Sequence, residues 1–188
     1  GAGGAVCLYS DAATHLIVDV NGYFASTASF GALEPARLLD TRTSAIAGAG
    51  VTTSLVVANR GGVPANATAV TLNVTLTGSL AGGFVTVYPC GTPRPNTSNV
   101  NFAPGSTVAN AVTTKVGAGG AVCLYSDAAT HLIVDVNGYF ASTASFGALD
   151  PARLLERDHD AGIELLPDPR HCGENGGRDL AHVLGDRL

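Results

Sequence analysis

The sequence predicts an all-β domain, an antiparallel β-sandwich of the jelly-roll kind. Three observations carry that expectation. The composition is 13% charged and 46% hydrophobic, with 24 glycines and neither Met nor Trp. Charge is well below the roughly 25% usual in soluble domains, and Val, Thr, Gly and Asn, the residues of strands and turns, fill the gap. Second, ATAVTLNVTLTG at 67–78 alternates Ala69, Thr71, Asn73 and Thr75 with Val70, Leu72, Val74 and Leu76. One face of that strand is dry and the other polar. Third, about eight such short runs recur every 8–12 residues or so between turn signals, the rhythm of a sandwich.

The chain also repeats itself. Residues 1–33, GAGGAVCLYSDAATHLIVDVNGYFASTASFGAL, recur without a substitution as residues 117–149, an offset of 117 − 1 = 116. A period this long is a whole domain, not a solenoid turn. The expected organisation has three parts. Residues 1–33 are the closing segment of a preceding unit, and 34–149 form a complete sandwich with partial copies at both ends. Residues 150–188 start a further unit, where DPARLL answers EPARLL at 34–39 before the chain diverges into an irregular charged tail.

In the leading segment, AVCLY (5–9) and HLIVDV (15–20) read as strands about the turn SDAAT, with Asn21-Gly22 as a turn and Tyr23-Phe24 as an aromatic plug. Two strands alone bury no face, because an isolated hairpin is marginal in water. In the complete unit, ARLLDTR (36–42), if regular, sets Arg37, Leu39 and Thr41 against Leu38, Asp40 and Arg42. VTTSLVVAN (51–59) follows, ended by the turn at 60–64. After 67–78, SLAGG turns the chain into GFVTVYPC (83–90), where Phe84, Thr86 and Tyr88 oppose Val85 and Val87. GTPRPNTS, with two prolines, is a rigid exposed loop. Residues 98–117 give two strands about Pro104-Gly105. AVCLY (121–125) and HLIVDV (131–136) close the unit, capped by Asn137-Gly138-Tyr139-Phe140. The tail shows no alternation and is expected to be mostly irregular, with one short helix from Asp179 to Leu184.

Charge narrows the partners. The formal net charge is −5 and Lys115 is the single lysine, which argues against nucleic acid and anionic membranes. No apolar run reaches the ~18 residues of a membrane span. The chain opens inside a repeat, so an export signal is expected further upstream. Cys7 and Cys123 are equivalent positions, and Cys90 is the other cysteine of the complete unit. The expected bridge is Cys90–Cys123, in an exported domain, against the alternative of two buried thiols. Cys7 is then free, bonded to Cys172, or paired between chains.

Six segments together resemble a known family: ARLLDTR (36–42), GVPANATAVTLNVTLTG (62–78), GFVTVYPCG (83–91), RPNTSNVNFAPGSTVAN (94–110), KVGAGGAVCLYS (115–126) and THLIVDVNGYF (130–140). The unit is similar to a secreted repeat domain common in actinobacterial surface and cell-wall-associated proteins. The resemblance covers most of 35–140 and implies export, a β-sandwich-like fold, and occurrence in tandem or beside wall-active enzymes. It implies no catalytic residue, and it stops at Leu155.

Four charged residues are the first candidate site. Arg37, Asp40 and Arg42 stand within six residues of a charge-poor chain, and Asp135 lies in the last strand. They are expected to form a structural ion pair that closes the first strand on the last, with one arginine bidentate. A ligand site using Asp40 and Arg42 is the alternative. His131, the counterpart of His15, shares a strand face with Asp135. Neither G-x-S-x-G nor H-E-x-x-H is present, so a surface or hydrogen-bonded imidazole is expected. His159, His171, Cys172 and His182 are too scattered for tetrahedral zinc. No metal, cofactor or catalytic residue is expected.

The polar strand faces are the second candidate. Asn73, Tyr88, Asn99 and Asn101, beside Thr71, Thr75, Thr86 and Asn110, offer the amides, hydroxyls and rings that sugars use. The expected function is a non-enzymatic extracellular repeat module, secreted and cell-wall associated, structural or adhesive at the cell surface. The alternative is a carbohydrate- or cell-wall-binding module serving a wall-active enzyme, with polysaccharide as partner. Because 5–24 and 121–140 are identical, segment 1–33 is also a candidate for self-association by swapping or strand addition.

Overall fold

The computed structural model describes residues 30–141 without a break. Around them it describes 6–13, 15, 17, 18, 20, 22–24, 146–149, 151 and the backbone of 155–158 and 162–165. Period-two alternation builds eight strands in the continuous part. They are β1 (Gly31–Asp40), β2 (Val51–Val56), β3 (Ala69–Thr77), β4 (Gly83–Pro89), β5 (Val100–Phe102), β6 (Val108–Lys115), β7 (Ala121–Ser126) and β8 (His131–Phe140).

These strands pair as one long antiparallel hairpin, β1 with β8, β2 with β7, β3 with β6 and β4 with β5. Rolling that hairpin brings β3 beside β8 and β4 beside β7. Two four-stranded sheets result, in the orders β1-β8-β3-β6 and β2-β7-β4-β5. This is a β-sandwich with jelly-roll topology. Val70, Leu72, Val74 and Leu76 of β3 and Leu132, Val134 and Val136 of β8 meet Val85 and Val87 of β4 and Val122 and Leu124 of β7 in one core. All of them are fully buried, and each stabilises the fold by about 1.5–3 kcal/mol through removal from water.

The sandwich closes with strands from 121–140. The strands expected at 5–9 and 15–20 do not form among the residues described there, which are in no sheet. Val6, Leu8, Tyr9, Ile17, Val18, Val20 and Tyr23 are all exposed there. β1 begins at Gly31, so the last three residues of the leading copy are also the first of the sandwich.

Two irregularities correct the expected geometry. In β1 the register slips between Arg37, opposite Asp135, and Leu39, opposite Val134. Regular alternation over 36–42 therefore fails. Leu38 is buried, Arg37 and Asp40 come within hydrogen-bonding distance, and Thr41–Thr43 wind into a 3-10 turn. In β8, Asn137-Gly138 is no turn. Thr71 pairs with Gly138 but Leu72 with Val136, which leaves Asn137 as a bulge inside the strand. Glycine is needed at 138 because the Phe30 ring lies where any Cβ would stand.

Beyond the sandwich, β9 (Leu155–Asp158) and β10 (Gly162–Leu165) pair as a small antiparallel hairpin. The expectation of an irregular tail fails here, because runs of four residues are too short for alternation to show in the sequence. The helix expected at 179–184 lies outside the described residues. Among the described residues no helix is long and apolar enough to cross a membrane.

Candidate functional site

Pairing of β1 with β8 sets Arg37 directly across from Asp135. The Arg37 Nε donates to Asp135 Oδ1, and a terminal nitrogen donates to Oδ2 at 3.3 Å. The other terminal nitrogen reaches Asp40 Oδ2 at 2.9 Å. Arg42 grips the same carboxylate from the other side, with Nε on Oδ1 at 3.0 Å and a terminal nitrogen on Oδ2 at 2.7 Å. The Arg42 backbone N–H also donates to Asp40 Oδ1, at 3.1 Å, which caps the 3-10 turn. Asp135, Arg37, Asp40 and Arg42 thus form one chain of alternating charge.

That chain is self-neutralising. The Arg42 hydrogen bonds hold the Asp40 carboxyl well below the usual carboxylate range against partial desolvation, helped by the Arg42 backbone N–H, its charge and Arg37. Hydrogen bonding to Asp135 raises Arg37, and hydrogen bonding to Asp40 raises Arg42. Arg37 and Arg42 are about half exposed, with side-chain exposures of 47% and 52%. Such pairs are screened by solvent and add little to stability. The four side chains satisfy one another, so the arrangement ties β1 to β8 and its turn.

His131 is drawn into the same corner by another partner. Its Nδ1 lies 3.2 Å from the Thr41 hydroxyl, which also accepts the Leu132 backbone N–H at 2.8 Å. Asp135 bonds to Arg37 instead, so the two residues form no acid–base couple. A third arginine, Arg60, was not singled out by the sequence. It donates to the carbonyls of Leu38 in β1 and Val56 in β2, at 2.6 and 3.0 Å, and so links the two sheets.

Cys90 and Cys123 are joined by a disulfide with a Cα separation of 5.0 Å. Cys123 points outward from β7, and Cys90 follows the end of β4, which pairs with β7. The bridge, Tyr88, Ala121 and the half-buried Tyr125 form a small apolar patch on the outer side of the second sheet. Tyr88 lies 3.4 Å from the Thr52 hydroxyl. Phe84 lies 6.1 Å from Tyr125, ring to ring, and the Arg94 guanidinium covers the Tyr125 ring at 4.2 Å. Cys7 is an exposed free thiol. Cys172, with His159, His171 and His182, lies outside the described residues.

The four residues expected on one ligand face do not share one. Asn73 belongs to β3, with its amide 3.4 Å from Thr75 on the outer side of the first sheet. Tyr88 is buried at the outer side of the second. Asn99 is occupied at the sheet edge, where its side-chain oxygen accepts the Val87 N–H at 2.7 Å. Its carbonyl accepts from Asn110 at 2.8 Å. Asn101 is exposed on β5 opposite Phe84. Alternation assigns each residue to the outer side of its own strand, but β3 and β4 lie in different sheets, so the set is divided by the thickness of the sandwich.

Phe84, Arg94 and Tyr125 are the grouping that inspection of the sequence missed. The signal for it was the disulfide. A bridge from Cys123 to Cys90 puts Tyr125, two residues along the same outer face, beside the alternate residues of β4. Among the described residues, no group of three or more His, Cys, Asp or Glu side chains is placed to hold a metal. No family model, curated protein or solved structure matches this chain.

Proposed function

We propose that this chain is a non-enzymatic repeat module of exported, cell-surface or wall-associated proteins, structural or adhesive in role. The observation that carries this reading is the literal duplication of residues 1–33 as 117–149 in a chain whose sandwich takes its closing strands β7 and β8 from the second copy and only residues 31–33 from the first. A body of this kind, presented at a fixed interval, multiplies weak contacts through avidity. The disulfide on the outer sheet suits an oxidising compartment, and the mutually satisfied charges of Arg37, Asp40, Arg42 and Asp135 suit a scaffold.

A specific arrangement favours a second reading, a polysaccharide-binding module. Phe84 and Tyr125 offer ring faces beside the Thr52 and Tyr88 hydroxyls, with Arg94 resting on Tyr125. Sugars need a stacking ring and directional donors, and Arg94 supplies the donors when it swings off the ring. Co-sedimentation of the full chain with insoluble peptidoglycan and wall polysaccharide separates the readings. A scaffold stays in the supernatant. A binding module sediments saturably, and Tyr125→Ala or Arg94→Ala abolishes it. Release of soluble sugar or peptide fragments would reject both.

A further inference from the structure

The two identical segments meet at one place. Phe24 and Phe30 of the leading copy occupy the same repeat positions as Phe140 and Phe146. Phe24 stacks on Phe30 with centroids 4.6 Å apart and planes at 22°. Phe140 stacks on Phe146 at 4.3 Å, also at 22°. The same local pair is therefore built twice. The two pairs are joined by Phe30 against Phe140 at 5.1 Å, with Phe24 edge-on to Phe140 at 6.1 Å. Four rings make one continuous ladder, in the order Phe24, Phe30, Phe140, Phe146.

The seat for this ladder belongs to the sandwich. Phe30 lies on Gly138, in the last strand, where a Cβ would collide with the ring. Gly22, the counterpart of Gly138, has open space around it. Phe140 is only 4% exposed, although it sits at the very end of β8, while Phe24 is 59% exposed. Gly31, just after Phe30, pairs with Tyr139, just before Phe140. The chain therefore enters and leaves the sandwich at one pole, and the rings cover that pole.

We propose that this pole is the docking surface between consecutive copies of the unit, and that the ladder sets neighbouring bodies side by side around a shared aromatic seam. The inference rests on the repeat-module reading. Its geometry comes from the shared pole: one body ends at Phe140 and, by the repeat, the next begins at Gly147, the counterpart of Gly31. The segment between them, 141–146, reaches roughly 25 Å at most when fully extended. Both ends of every body lie at that pole, so successive bodies are gathered about the line of rings, and the array is a fan and not an extended rod.

The test uses the full chain with a further copy of residues 34–149 inserted after Leu149, which gives two complete bodies. Small-angle scattering is expected to show a compact pair with one narrow distribution of distances. Phe146→Ala removes the ring between the bodies and leaves both cores intact. It is expected to lengthen the maximum dimension, while one cooperative melting transition is kept at a somewhat lower temperature because the ring that fills the second body's Gly138 seat is lost. An end-to-end pair before the substitution, or an unchanged profile after it, overturns the proposal. In the natural chain, the Gly138 α-protons are expected upfield under the Phe30 ring, and Phe30→Leu is expected to abolish that shift. An unshifted Gly138 overturns the seat. Binding or turnover of wall material is read in separate assays, so failure of the functional reading is distinguishable from failure of the joint.

Discussion

Leu124 is fully buried in β7, while Leu8, its counterpart in the leading copy, is 61% exposed. Cys123 is bridged, while Cys7 is a free thiol. Tyr139 packs against the core, while Tyr23 is 89% exposed. Identical letters meet two fates because strand formation is decided by partners. β7 lies between β2 and β4, and β8 lies between β1 and β3. Each slot admits one occupant. The copy joined to β6 by a short connection reaches it at small entropic cost, since closure cost grows with loop length. The leading copy has the same β-propensity but finds both slots taken, which is why propensity describes fit to a surface better than an intrinsic preference.

The largest test of this contrast is a matched pair of truncations. Leu124→Ala is expected to cost about 2–5 kcal/mol in denaturant unfolding, from lost transfer energy and the cavity left behind. Leu8→Ala is expected to stay within about 0.5 kcal/mol. Equal losses would show that the leading copy has a packed site of its own. A second pair concerns the bridge. Cys123→Ser opens a loop with a separation of 33 residues and is expected to cost about 3–4 kcal/mol in the chain-entropy account. Cys7→Ser is expected to cost nothing measurable. Peptide mapping of the Cys123→Ser protein sharpens the point. A Cys7–Cys90 bridge would mean that the leading copy can enter the slot, and none is expected.

Smaller effects probe what holds β8 to β1. Asp135→Asn removes the carboxylate under Arg37 and is expected to cost about 1 kcal/mol or less, because Arg37 is half exposed. The melting temperature reads it, and the loss is expected to shrink in high salt. The smallest effect is one of pH. The Asp40 carboxyl is depressed in the folded chain, so its contribution is fully present above the ordinary aspartate value, about 3.9. That contribution is lost as pH falls below it towards the folded value, because the unfolded chain then binds the extra proton. Wild type is expected to exceed Asp40→Asn in melting temperature above pH 5, and the gap is expected to narrow steadily below pH 4.

Much of the sandwich is written in short-range pattern. Val70, Leu72, Val74 and Leu76 alternate so regularly that β3 has one dry side whatever its neighbours. Cys90, Cys123, Arg37 and Asp135 could be named in advance because the unit holds so few cysteines and charges. What could not be read depends on long-range arrangement. The fate of Leu8 depends on a slot taken more than a hundred positions later. Asn137-Gly138 looks like a turn, and only the Phe30 ring explains why glycine stands inside a strand. Asn73 and Tyr88 share a polarity pattern but not a sheet, since which sheet a strand joins is a matter of rolling the hairpin. Arg94 reaches Tyr125 from a loop whose path no periodicity encodes.

One mechanical consequence follows from the pairing of Gly31 with Tyr139. Tension applied through the two ends of the sandwich pulls β1 and β8 apart like the sides of a zip. The bonds between them are loaded one after another and never all together in shear. Such a ladder yields at low force, beginning with the Phe30–Phe140 contact and reaching the Arg37–Asp135 bonds a few residues later. The covalent loop between Cys90 and Cys123 stays closed throughout and limits how far each unit can lengthen. A series of these bodies under load would therefore act as a soft, extensible tether with a fixed stop.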